Sequence, residues 1–169
     1  MMDEPCYEKL SAPFRKNKTY IFLLLWINKI LTAVVYVAYP LALYGAYKNG
    51  IGELLRAVAV PGVFFVLLSV FRDRYDAPRP YERLNIEPII KKDTKGHSFP
   101  SRHVFSAFMI DMVIFSLSRP VGIVYFVIAI LIACIRVIGG VHFPKDVIAG
   151  AFAGIAGWYI GCSICYLIL

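Results

Sequence analysis

Charge is scarce in this sequence. Only 17% of its 169 residues are Asp, Glu, Lys or Arg, where a soluble domain carries about 25%. That shortage, with a 59% hydrophobic share, excludes a disordered chain and argues against an ordinary soluble domain. Acidic side chains are scarcer still, 11 against 18 basic ones, and no cluster of carboxylates suited to holding a metal ion stands out. Cysteine is thin as well. Cys134, Cys162 and Cys165 lie in apolar surroundings and Cys6 sits near the N-terminus. The Cys162–Cys165 spacing is redox-like, but its apolar setting reads as small packing residues. Residues 1–18 are polar, with no secretory pattern. With no internal repeat or low-complexity linker, a single domain over 1–169 is expected.

What is present is a set of long uncharged runs. Residues 30–47, 57–71, 120–135 and 147–169 contain no Asp, Glu, Lys or Arg, and 103–118 is interrupted only by Asp111. A membrane span needs about 20 largely apolar residues. The runs and their flanks predict five spans near 28–47, 53–71, 102–118, 120–138 and 146–168, an all-α polytopic membrane bundle. The last is rich in Gly and Ala, which permits close helix packing. Residues 14–29 mix basic and bulky apolar side chains, the mark of an interfacial helix or a slanted lead-in to the first span. Tyr36, Tyr39, Tyr44 and Tyr47 suit a span and its interfacial belt.

The order of spans decides which loops meet. The second span delivers the chain to the face that holds loop 72–101. The third leaves that face, the fourth returns to it, and segment 136–146 therefore emerges beside the loop. The N-terminus is expected on the same face and the C-terminus on the other. The net charge of +7 then concentrates on one face, which suits anionic lipid; no nucleic-acid partner is expected.

Three patches on that face carry chemistry. They are Arg72 to Pro80 (RDRYDAPRP), Gly96 to His103 (GHSFPSRH) and Arg136 to Asp146 (RVIGGVHFPKD). Basic residues beside spans commonly snorkel to headgroups. Arg136, however, ends a 16-residue uncharged run, where a charge is costly unless paired or hydrated. Arginine forks match phosphate oxygens. Pro100 and Ser101 look like a helix start, with Ser101 as a cap and free N–H groups beyond it. His142 and Asp146 are four apart, so the carboxylate can reach one imidazole nitrogen and leave the other free to attack. His103 is then available as a separate acid.

These motifs resemble the type 2 phosphatidic acid phosphatase superfamily, whose pattern is K-x6-R-P, then P-S-G-H, then S-R-x5-H-x3-D. The likeness covers residues 72–146 in order, and it implies a membrane lipid phosphatase with a helical bundle. It further implies that Arg72, Arg79, Ser101 and Arg136 hold the phosphoryl oxygens. His142 would then be the nucleophile, forming a phosphohistidine, His103 the general acid and Asp146 the orienter of His142. No metal and no cofactor are implied. The partner would be a membrane lipid bearing a phosphate or diphosphate: phosphatidate, phosphatidylglycerophosphate or a polyprenyl diphosphate. Three positions depart from the pattern: Arg72 for Lys, Ile135 for Ser, and Arg102 for Gly. Arg102 either adds a phosphate ligand or points to headgroups. Most members also have six spans, and the first has no counterpart here.

Alternatives stay open beside this reading. A vanadate-dependent haloperoxidase could use the same residues, and a non-enzymatic phospholipid transporter or binder is the other class. Asp111 bonds a neighbouring helix or lines a wet cavity. Lys91, Lys92 and Lys95 rest on headgroups or guide a phosphorylated substrate. His97 reads as a loop residue. Basic residues outside the clamp favour the site face ten to three, which by the positive-inside rule points to the cytoplasm. The resemblance implies an extracytoplasmic site, and that is the expectation adopted.

Overall fold

The structure is a computed structural model that describes residues 3–92 and 94–168. The elements are α1 (Glu4–Arg15), α2 (Lys18–Asn49), α3 (Ile51–Tyr75), α4 (Pro80–Arg83), α5 (Arg102–Leu117), α6 (Arg119–Ile138) and α7 (Pro144–Ile168). Asp3 caps α1 by accepting from the Cys6 N–H at 3.0 Å, and Asn17 starts α2 by accepting from the Thr19 N–H at 2.9 Å. Of the two expectations for segment 14–29, an interfacial helix or a lead-in to the first span, the structure shows the lead-in, with Phe14 and Arg15 still in α1. From Lys18 onward the segment is the first stretch of one 32-residue helix.

Among the described residues four helices, α2, α3, α6 and α7, are long and apolar enough to cross a membrane. The expected fifth span is α5, and it differs in kind. At 16 residues it rises about 24 Å, short of a hydrocarbon core of about 30 Å. It contacts α2, α3, α6 and α7, and nearly every residue from Val104 to Ile114 is buried. A helix wrapped by protein need not match lipid thickness. It still joins the two ends of the bundle, so loop 76–101 and turn 139–143 share one end.

Packing around α5 relies on small residues, since lipid chains are as apolar as side chains and supply little drive for helices to associate. On α7, a Cβ at Gly150 would stand 2.6 Å from the Ser101 carbonyl oxygen, and one at Gly154 would stand 2.9 Å from that of Phe105. The backbones meet only because both residues lack a side chain. This contact sets the entry of α5, carrying Ser101 and His103, against the start of α7, carrying Asp146. Beneath the same end, α1 acts as a strut. The Tyr7 hydroxyl lies against Gly140, whose φ of +75° and lack of a Cβ admit the ring. Arg15 donates to the Glu87 carbonyl and to the Tyr7 hydroxyl.

Candidate active site

Arg79 ties the second patch to the third. Its Nε donates to the Gly96 carbonyl at 3.0 Å and its Nη1 to the Val141 carbonyl at 3.3 Å. Arg72 fastens the same loop to α3, donating from Nη1 and Nη2 to the carbonyls of Pro100 and His97. Glu82 completes the frame by accepting from the backbone N–H of Arg79 at 2.8 Å and of Gly96 at 2.9 Å. Both guanidiniums are buried, and each has five N–H donors, so each keeps donors beyond those used on carbonyls. Arg136, also buried, ends α6 with its Nε unpartnered among the described residues. None of the three arginines forms a salt bridge among the described residues. Three buried cations without carboxylate partners make a site that favours an anion.

His142 and Asp146 are fully buried beside this cluster. Asp146 Oδ2 accepts from the Ser98 hydroxyl at 2.5 Å and from the Phe143 N–H at 2.9 Å. It faces His142 Nδ1 at 3.7 Å, an approach longer than a hydrogen bond. Nδ1 is thus turned to the carboxylate and Nε2 away from it. Burial lowers the His142 imidazole to about 4, the Asp146 carboxylate works against this, and the charges of Arg79 and Arg136 add to it. At neutral pH the ring is therefore uncharged and keeps a lone pair. Burial likewise pushes the Arg79 guanidinium down, with Tyr81, Glu82 and Asp146 opposing.

Ser101 occupies the N-cap position of α5, but its side chain makes no cap hydrogen bond. The expected capping role is not what the structure shows. Its Oγ is buried and unpartnered among the described residues, while its N–H donates to the Asp146 carbonyl at 2.9 Å. One residue on, Arg102 is exposed and holds its guanidinium over the Phe65 ring, 5.5 Å from the centroid. The structure does not bring Arg102 into the buried cluster. His103, in the first turn of α5, is half-buried and lines a small cavity of mixed character with Thr32, Tyr36 and Ser106 and with Val35, Ala107 and Ile132.

The loop residues sort differently from one another. His97 braces the loop: at φ +51° its N–H donates to Asp76 Oδ1 at 3.1 Å. Asp111 lies deep in α5, with both carboxylate oxygens buried and unpartnered among the described residues, so no bond to a neighbouring helix is seen. Lys92 is drawn in. The Ile90 N–H donates to the Gly139 carbonyl at 3.1 Å, pinning the loop to the end of α6 and holding Lys92 half-buried over the site. Desolvation lowers the Lys92 amine to about 8, and Arg79, Arg136, Arg72 and Arg102 add to the shift. Ser98 and Glu82 are the residues that spacing alone passed over. Ser98 sits inside the second patch, and that position was the only signal for it.

Comparison with known proteins bears on this arrangement. Among solved structures, LpxE of Aquifex aeolicus superposes with a TM-score of 0.73 at 22% identity, over 96% of each chain. The first transmembrane PAP2 type phosphatidylglycerolphosphate phosphatase from Bacillus subtilis superposes with a TM-score of 0.71 at 21% identity, over 98% of this chain and 87% of that one. At such identities the likeness is one of fold. The bacitracin transport permease protein BcrC of Bacillus licheniformis is 35% identical over 78 residues, which is 46% of this chain and 38% of that protein's length. The model of the PAP2 superfamily matches residues 50–168, from the start of α3 to the end of α7. The multi-pass helical bundle, the three ordered motifs and this match over most of the chain establish that the protein is a membrane-embedded member of the PAP2 superfamily.

Proposed function

We propose that this protein hydrolyses a lipid phosphate monoester or diphosphate without a metal ion, through a phosphohistidine. One observation carries the reading: a neutral buried imidazole has Nδ1 turned to Asp146 and stands beside three buried arginines that lack carboxylate partners. The arginines and the free Ser101 hydroxyl hold the phosphoryl oxygens, with Lys92 as a further cation. His142 Nε2 attacks phosphorus in line, the N–P bond forms as the P–O bond to the lipid breaks, and His103 protonates the leaving oxygen. Burial and the charges of Arg136, Lys92, His142 and Arg102 push the unliganded His103 imidazole down to about 3, so the proton it donates is taken up with the anionic substrate. His103 then takes a proton from the water that cleaves the N–P bond, releasing phosphate. Phosphoryl transfer relies on positioning and charge stabilisation, which this cluster supplies. Asp146, the carboxylate within the cluster, already accepts two hydrogen bonds on Oδ2.

The test is phosphate release from phosphatidate, phosphatidylglycerophosphate and polyprenyl diphosphate in detergent, with chelator present. Turnover of at least one is expected. Turnover of none, or its loss on chelation, overturns the reading. Two pH limbs are expected in kcat/KM, which reports the free enzyme. Activity falls as pH drops through about 4, because protonated His142 has no lone pair to attack with. It falls again as pH rises through about 8, where Lys92 loses its charge. A Lys92→Met profile should lack the alkaline limb, and an unchanged limb would remove Lys92 from phosphate binding.

The site is proposed to face the extracytoplasmic side. Part of the basic excess on its face is engaged within the protein, Arg15 on the Glu87 carbonyl and Lys92 half-buried among the arginines, and that part counts little toward orientation. A single cysteine placed at the C-terminus should then be protected from a membrane-impermeant thiol reagent in intact cells. Labelling there would reverse the orientation.

A further inference from the structure

Ser98 is fully buried, lies 48 positions before Asp146 in the chain, and has no part in the mechanism above. Its backbone is fixed independently, with its N–H donating to the Ala77 carbonyl at 2.8 Å. Its hydroxyl stands between the two groups whose partnership the nucleophile needs. Oγ is 2.5 Å from Asp146 Oδ2 and 3.5 Å from His142 Nδ1, while the direct separation of carboxylate and imidazole is 3.7 Å. Oδ2 already accepts from Ser98 and from the Phe143 N–H at 2.9 Å, which occupies both of its lone-pair directions. The Nδ1 proton is better met by the serine oxygen, whose own proton points at the carboxylate. A hydroxyl can accept and donate at once, and bonds in such a chain polarise one another.

We propose that Ser98 is a positioning residue for phosphoryl transfer, its hydroxyl relaying the charge of Asp146 to Nδ1 of His142. The hydrogen bond from Nδ1–H to Ser98 Oγ keeps the proton on Nδ1 and leaves Nε2 as the attacking nitrogen. No proton moves along the relay. When Nε2 bonds to phosphorus the ring becomes cationic, the proton stays on Nδ1, and Asp146 stays ionised. The Ser98 dipole strengthens as that charge develops, so its effect falls on the transition state and the phosphoenzyme and not on substrate binding.

This inference rests on the phosphohistidine reading, so the experiment first requires that the full-length protein in detergent release phosphate from phosphatidylglycerophosphate or phosphatidate, and that His142→Ala not do so. Failure at that step rejects the reading itself. Given that step, Ser98→Ala should lower kcat about 10- to 100-fold with KM within twofold, the rate equivalent of one charge-assisted hydrogen bond. Ser98→Cys nearly conserves volume but is a weak donor and acceptor, and it should stay impaired. Ser98→Thr restores the hydroxyl and should recover most of the rate. If the added methyl of threonine unfolds the protein, shown by a lost thermal transition, the cysteine variant decides alone. Ala with full activity, Cys with wild-type kcat, or a raised KM at constant kcat would each overturn the proposal.

Discussion

Replacing His142 with alanine is expected to cut phosphate release at least about 10⁴-fold, since both covalent catalysis and its acid–base partner lose their substrate geometry together. The expectation follows from where the ring sits. It is buried, held near neutrality by a value of about 4, and turned so that Nδ1 meets Asp146 and Ser98. Steady-state release should fall to background, and acid-quenched reactions with labelled substrate should show no protein-bound phosphate. The arginines remain in place in this variant, so inorganic phosphate should still raise its melting temperature, which separates lost chemistry from a lost fold. Residual activity above about one part in a hundred would exclude His142 as the nucleophile.

Much of this site was legible in the sequence, for reasons that can be stated. Uncharged runs mark helices because the apolar interior of a membrane tolerates few charges, and the ordering of those runs placed all three patches at one end of the bundle. The Arg72, Arg79, Arg136, His142 and Asp146 positions are given by spacing along the chain. What spacing cannot convey is which side chain turns inward. Arg102 and His103 are neighbours, yet one stacks outward on Phe65 and the other lines the cavity beside Thr32. Ser101 starts its helix as expected but leaves its hydroxyl free. Ser98 reaches Asp146 only through tertiary packing and carries no periodic signal. Spacing leaves segment 14–29 open between an interfacial helix and a lead-in because Lys18 and Lys29 interrupt the uncharged run, although long basic side chains at a helix end can extend to the interface without ending the helix. Composition predicts a span at α5 but does not say that this 16-residue helix is buried in protein, because it does not distinguish burial in protein from burial in lipid.

The second large effect expected is from Arg136→Leu, and it has two signs. Activity should fall about 10²–10³-fold, the usual loss when one preorganised donor to a developing charge is removed, with Arg136→Lys intermediate because an ammonium cannot offer the planar fork. Stability should move the other way. Arg136 is buried, its Nε is unpartnered, and it meets no carboxylate among the described residues, so its burial is opposed by desolvation and by the neighbouring arginines. Leucine, shorter but of similar volume, removes that cost, and replacing buried charge by apolar volume gains about 1–4 kcal/mol in comparable cases, or about 2–4 °C in Tm for each kcal/mol in a chain of this size. Inorganic phosphate should raise the wild-type Tm by ligand linkage and raise that of the leucine variant much less. A lowered Tm with unchanged phosphate protection would make Arg136 a structural residue. A raised Tm with lost protection means that the cluster is held together in a strained, cationic state that only the substrate's phosphate relieves, the trade of stability for function that an anion-binding catalytic site entails.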